Sequence, residues 1–299
     1  MSSIIWKNEA GRQRLEAFYD RFKAKIPAEI SERKVPTRFG ETNVLVAGPN
    51  DAPPIICLHA MRTGAPFLLS ELGPLANDFR LFAPELPGQS IRGIHRKLRL
   101  DDRSYADWTE DVMDSLGLSE ANLFGVSWGA YVAVLTAIAF PDRVSRLAVM
   151  VPAGIANGSH LTGLLQMAIP FARYKMRPNE ANLKALLSPV LTTWDSDWAE
   201  FFACSLRDWR MDSRIPPLFP DDDLARLEMP VLVIGADQDI SFPGERVIAR
   251  VDQLIPHAET DLLKDCKHCP PTDAEFRAWL ASRLTRFMDN GGVPLGQQA

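Results

Sequence analysis

The segment Gly125-Val126-Ser127-Trp128-Gly129 constrains this chain more than any other. Ala121-Asn122-Leu123-Phe124 before it reads as a buried strand, and Ala130-Tyr131-Val132-Ala133-Val134-Leu135 after it reads as a buried helix. A strand that reverses sharply into a helix leaves no room for side chains beside the turning residue. Gly125 and Gly129, two positions either side of Ser127, supply that room. The turn strains the serine backbone, pushes its hydroxyl outward and sets it at a helix N-terminus, where developing negative charge is favoured. Five residues in this pattern arise by chance, so its weight depends on what else the chain carries.

The flanking sequence alternates between strand and helix signals. Residues 8–26 have an amphipathic helical pattern (Leu15, Phe18, Tyr19, Phe22, Ile26), suited to packing against the main body. Residues 35–39 and 43–47, split by Gly40-Glu41-Thr42, read as a hairpin. Residues 55–58, 80–83, 146–151, 230–235 and 260–263 read as further strands, with those at 55–58 and 146–151 buried. Helices are expected at 104–116, closed by Gly117, and at about 273–288. Over residues 155–227 the strand signal disappears; Pro170, Pro178 and Pro189 punctuate it, and Trp194, Trp198, Phe201 and Phe202 fit one helical face. The polar stretch 290–299 reads as a loose tail.

Alternation of this kind predicts an α/β fold with a mostly parallel central sheet flanked by helices. Residues 1–154 and 228–299 form its core, and an all-helical segment at 155–227, inserted after the sixth strand, is expected to cover the carboxyl ends of the strands, where open α/β sheets bind ligands.

Composition narrows the function classes. A formal charge of −5 over 299 residues argues against a nucleic-acid surface or a polybasic membrane anchor. The longest apolar stretch, 131–140, is too short to span a bilayer. The N-terminus lacks the pattern of a signal peptide, and four cysteines do not make a disulfide framework, so a reduced, soluble, cytoplasmic protein is expected.

A serine hydroxyl needs a histidine to take its proton and a carboxylate to orient that histidine. Among the five histidines, at 59, 95, 160, 257 and 268, His268 follows the last strand in Lys264-Asp265-Cys266-Lys267-His268-Cys269. Candidate acids lie after the preceding strand, in Gly235-Ala236-Asp237-Gln238-Asp239-Ile240. Cys266 and Cys269 invite a metal or redox reading, but a structural zinc site wants four ligands and no second cluster exists in the sequence; no metal and no cofactor are expected.

On these motifs the chain resembles the α/β-hydrolase superfamily from about residue 35 to 288, with its order of nucleophile, acid and histidine. The resemblance selects Asp239 over Asp237 through the spacing to Pro243. It implies an oxyanion hole from the backbone N–H groups of Trp128 and Met61, supported by His59. Ala60 stands where related enzymes carry glycine, and Glu85 stands where an aspartate is common. The implied activity is a carboxylesterase-like serine hydrolase on a small-molecule substrate, through an acyl-enzyme. Serine at the elbow argues against the dehalogenases and epoxide hydrolases of the superfamily, which attack with aspartate. Lactonase, C–C bond hydrolase and cofactor-free perhydrolase activities share the same triad. A ligand-binding or signalling protein with little turnover is the alternative from another class. Exposed aromatics over 155–227 could form a homodimer surface.

Overall fold

A computed structural model of the protein describes residues 5–159, 164–210, 212 and 214–289. The expected loose tail, most of the N-terminal heptapeptide and His160 lie outside the described residues.

Eight strands form one sheet: β1 (Ile30–Thr37), β2 (Gly40–Ala47), β3 (Pro54–Leu58), β4 (Arg80–Pro84), β5 (Ala121–Val126), β6 (Val144–Met150), β7 (Val231–Ala236) and β8 (Glu259–Leu263). Their spatial order is β1-β2-β4-β3-β5-β6-β7-β8. β1 and β2 pair antiparallel, as do β2 and β4, and every later pair is parallel.

Side chains alternate across a strand, and the two faces are easily read from β3. Ile55 and Cys57 enter one apolar cluster, with Leu15, Phe22, Phe67 and Leu284. Ile56 and Leu58 enter the other, with Trp108, Val132, Val247 and Val251. Helices α1 (Glu9–Lys23), α2 (Ala65–Leu72) and α10 (Ala274–Met288) therefore cover one face, while α3 (Ser104–Leu116), α4 (Trp128–Ala139) and α9 (Gly244–Leu254) cover the other. Fully burying each large apolar side chain contributes about 1.5–3 kcal/mol, which makes both faces of the sheet part of the core.

Several boundaries differ from the sequence-based expectation for identifiable reasons. The N-terminal helix stops at Lys23, three residues short, and Asn8 caps its start by accepting the Gly11 N–H at 2.8 Å. The hairpin turns at Arg38-Phe39 and not at Gly40-Glu41-Thr42, since Thr37 pairs with Gly40 and its hydroxyl donates to the Gly40 carbonyl at 2.6 Å. Trp194 does not share the helical face of Trp198, Phe201 and Phe202. Asp195 caps that helix by accepting the Trp198 N–H at 3.0 Å, so α7 runs Ser196–Asp208 and leaves Trp194 outside it, 44% exposed. Two helices carried no expectation. α2 is apolar almost all round, which erases its periodicity, whereas α9 offered Val247 and Val251 one turn apart.

Between β6 and β7 the described chain is helical: a π-helical turn (Leu164–Ala168), α5 (Ile169–Met176), α6 (Glu180–Leu187), α7, and the short α8 (Asp221–Leu224). No helix among the described residues is long and apolar enough to cross a membrane.

Candidate active site

Ser127 is the single residue between β5 and α4, with φ 55° and ψ −111°. The positive φ is uncommon for a residue with a side chain, and the surroundings hold it there. The Ser127 N–H donates to the Met150 carbonyl at 3.0 Å, and its own carbonyl accepts from Tyr131 N–H at 3.2 Å and Ala153 N–H at 3.3 Å. Gly125 and Gly129 allow the close approach: a Cβ on Gly125 would lie 2.5 Å from the Gly129 carbonyl oxygen, and one on Gly129 would collide with the Leu58 carbonyl.

Two loops at the same edge of the sheet reach this serine. His268, five residues beyond β8, places Nε2 3.0 Å from Ser127 Oγ. Its Nδ1 lies 2.7 Å from Asp239 Oδ2, in the loop after β7. Asp239 is buried, and its other oxygen accepts the N–H groups of Ser241 at 2.7 Å and Phe242 at 3.1 Å. Burial disfavours the charged form of His268, but the charge and hydrogen bond of Asp239 outweigh it and raise its pKa above the ordinary histidine value. The site thus offers a hydroxyl, a base beside it and a fixed carboxylate behind the base.

Asp237 takes a different position. It accepts the backbone N–H groups of Cys266 at 3.0 Å and Asp265 at 3.1 Å, and so fastens the loop that carries His268. Thr192, which no sequence pattern singled out, holds the same loop from the far side. Its hydroxyl accepts Lys267 N–H at 2.9 Å and donates to the Cys269 carbonyl at 2.8 Å. Thr192 lies in an irregular stretch far from His268 in the chain, so no local signal could have announced it.

The loop after β3 carries Met61. His59 is fully buried there, and its Nε2 accepts the Leu86 N–H at 3.0 Å while Nδ1 lies 2.7 Å from the Ala60 carbonyl. Only the neutral tautomer with its proton on Nδ1 satisfies both contacts. Burial holds this histidine down to about 4, consistent with that neutral form. Glu85, also fully buried, accepts Ala65 N–H at 3.2 Å and the Ser90 hydroxyl, tying the start of α2 to the loop after β4. Burial pushes its carboxyl up to about 7, against the hydrogen bonds it accepts. Trp128 is the first residue of α4, where a backbone N–H has no acceptor within the helix.

A cavity of about 670 Å³ opens over Ser127. Met61, Ser127, Phe242 and His268 line it from the sheet edge, and Phe171, Leu187, Trp198 and Phe202 line it from the helices between β6 and β7. Cys269 also lines it, but burial pushes that thiol up to about 12, and Cys266 is raised by burial too, so neither is a thiolate at neutral pH. Among the described residues, no group of three His, Cys, Asp or Glu side chains could hold a metal ion.

Comparison with known proteins agrees with this architecture. The family described as alpha/beta hydrolase fold matches residues 53–274, about three-quarters of the chain. Carboxylesterase YbfK of Bacillus subtilis is 26% identical over 282 residues, covering 91% of this chain and 93% of that protein. A second Bacillus subtilis relative, an uncharacterized carboxylesterase called nap, is 22% identical over 275 residues, or 88% of each chain. The crystal structure of naproxen esterase from Bacillus subtilis superposes with a TM-score of 0.79 at 22% identity, covering 94% of this chain and 99% of that one. With the family matched over most of its length and the sheet, elbow and loops arranged as described, the chain belongs to the α/β-hydrolase fold family.

Proposed function

We propose that this protein hydrolyses carboxylic esters of small molecules through an acyl-enzyme. The observation that carries the reading is the relay Ser127 Oγ to His268 Nε2 at 3.0 Å and His268 Nδ1 to Asp239 Oδ2 at 2.7 Å, opening on a largely apolar cavity. Similarity to carboxylesterases over nearly their whole length supports an ester as the bond that is cut.

Ser127 Oγ attacks the ester carbonyl carbon as its proton passes to His268 Nε2, and Asp239 stabilises the imidazolium that forms. The backbone N–H groups of Trp128 and Met61 receive the negative charge that builds on the carbonyl oxygen, with neutral His59 holding the Met61 loop in place. Collapse expels the alcohol, which takes the proton from His268. Water then gives a proton to the same nitrogen and attacks the acyl-serine, and collapse releases the acid as Ser127 Oγ takes that proton back from His268. The helices over 155–227 act as a cover that shapes the cavity, and their aromatic residues Phe171, Trp198 and Phe202 favour an apolar acyl or alcohol group.

The test combines turnover with labelling. Burst kinetics on p-nitrophenyl acetate and a fluorophosphonate adduct mapped to Ser127 are the expected results. Neither turnover of short acyl esters nor an adduct would remove the hydrolase reading and favour a ligand-binding role. Turnover of lactones or C–C substrates in preference to esters would keep the triad and change the bond.

A further inference from the structure

One part of the cavity wall carries charge that cleavage of a neutral ester does not use. Arg62 and Arg214 both line the cavity. Arg62 follows Met61 directly and holds a positive φ of 56°. The guanidinium of Arg214 lies 5.9 Å from the centre of the Trp128 ring. The two cations therefore flank the two residues whose N–H groups are assigned to the developing oxyanion.

The carboxylate near them is Asp212, which is buried. It accepts Arg214 Nε at 3.0 Å and an Arg214 terminal nitrogen at 2.8 Å, accepts the Gln89 amide at 2.9 Å, and lies 3.4 Å from Lys97 Nζ. Its charge also acts on Arg62. Burial works against ionisation of Asp212, but the Arg214 hydrogen bonds and charge, with Lys97, hold it down to about 2. Asp212 thus faces three cations, and near neutral pH the group carries a net positive charge. Arg214 directs donors to Asp212 and the Leu98 carbonyl and also interacts with the Tyr105 hydroxyl, which still leaves part of the five N–H groups of a guanidinium for a ligand. Arg62 is part-buried, where an anion brought beside it meets a charge less screened by water than one on the open surface.

Apart from His268 and the Cys269 thiol, the other ionisable groups lining the cavity are two carboxylates, one paired with a cation and one held by neutral donors. Glu71 accepts Arg277 at 2.8 and 3.2 Å, and Asp195 accepts the Trp198 N–H and the Thr272 hydroxyl. The positive charge is therefore on the oxyanion side of the cavity, while Asp195 leaves the wall beside Trp198 negative.

We propose that the ester taken by this site carries an anionic group, a carboxylate, seated against Arg62 and Arg214. The proposal rests on the esterase reading and narrows it from neutral esters to monoesters of acidic compounds.

Two substrate pairs of matched carbon skeleton test it on the wild-type protein: mono-4-nitrophenyl glutarate against 4-nitrophenyl pentanoate, and the acetyl esters of 3-(4-hydroxyphenyl)propanoate against 4-propylphenol. The first pair puts the carboxylate on the acyl side and the second on the alcohol side. In at least one pair kcat/KM should favour the anion by about tenfold or more, the size of one charge-assisted hydrogen bond. That preference should shrink with added salt and fall in both Arg62→Gln and Arg214→Gln. Equal or better turnover of the neutral ester in both pairs would overturn the proposal, as would a preference that survives both substitutions. If neither variant folds, the wild-type ratio and its salt dependence decide. Failure of all four esters together with no fluorophosphonate adduct would instead strike the esterase reading.

Discussion

Asp237 and Asp239 both reach the loop that carries His268, but they take different parts of it: Asp237 binds its backbone, and Asp239 binds the imidazole. An asparagine at 239 presents an amide to His268 and favours the wrong tautomer, so Asp239→Asn should lower kcat about 10³- to 10⁴-fold. Asn at 237 can still accept the Cys266 and Asp265 N–H groups through its carbonyl oxygen, and Asp237→Asn should stay within about tenfold of wild type. Steady-state kinetics on a p-nitrophenyl ester separate the two, and the reverse order would transfer the acid role to Asp237.

Ser127→Ala removes the hydroxyl proposed as nucleophile and leaves His268 and Asp239 in place. Activity should fall by at least about 10⁴-fold, and the fluorophosphonate adduct should vanish from the intact-protein mass spectrum. Hydrolysis at the wild-type rate would place the chemistry elsewhere in the chain.

His268 accepts the serine proton only while neutral, and Asp239 raises its pKa above the ordinary histidine value. The acid limb of kcat/KM should therefore rise with pH through a midpoint above 6.5. A midpoint below that value would mean that burial, and not Asp239, governs His268.

Glu85 gives a prediction about stability. Its carboxyl is raised from 4.5 to about 7 in the folded protein, so the folded state holds this proton more tightly than the unfolded chain does. The stabilising contribution is present below pH 4.5 and is lost as pH rises towards 7, by at most about 3 kcal/mol. Glu85→Gln has no such proton to lose. Its melting temperature relative to wild type should thus improve between pH 5 and pH 8, as differential scanning fluorimetry would record. A constant difference across that range would show that Glu85 is ionised throughout.

Gly129→Ala should be among the most damaging small substitutions in the chain. The added methyl meets the Leu58 carbonyl, and β3 is a central strand that cannot move aside without loosening β4 and β5. Expression as insoluble protein, or a soluble protein with no Ser127 labelling, is the expected outcome; normal labelling would count against the tight seat.

The residues brought together at the site were legible because each follows a strand with a strong local signature. Ser127 sits between a buried strand and a buried helix, Asp239 follows the apolar run of β7, and His268 follows Leu262-Leu263 of β8 at the same end of the sheet. Thr192 escaped notice because its role exists only when two distant irregular segments meet. The partnership of Asp212 with Arg214 and Gln89 was hidden for the same reason. Helix α2 was lost for the opposite cause, since a segment buried on nearly every side has no periodic face to read.

The contact between Gly129 and the carbonyls of Leu58 and His59 has a mechanical consequence. The helix that starts beside Ser127 rests on the very strand end from which the Met61 loop departs. Ser127 and the Met61 loop are therefore mounted on one rigid block, while part of the cavity wall, Phe171 and Leu187, comes from helices outside the two main apolar clusters. Substitutions at Phe171 and Leu187 can retune which molecules enter without altering the spacing on that block, so selectivity and chemistry can change independently at these positions.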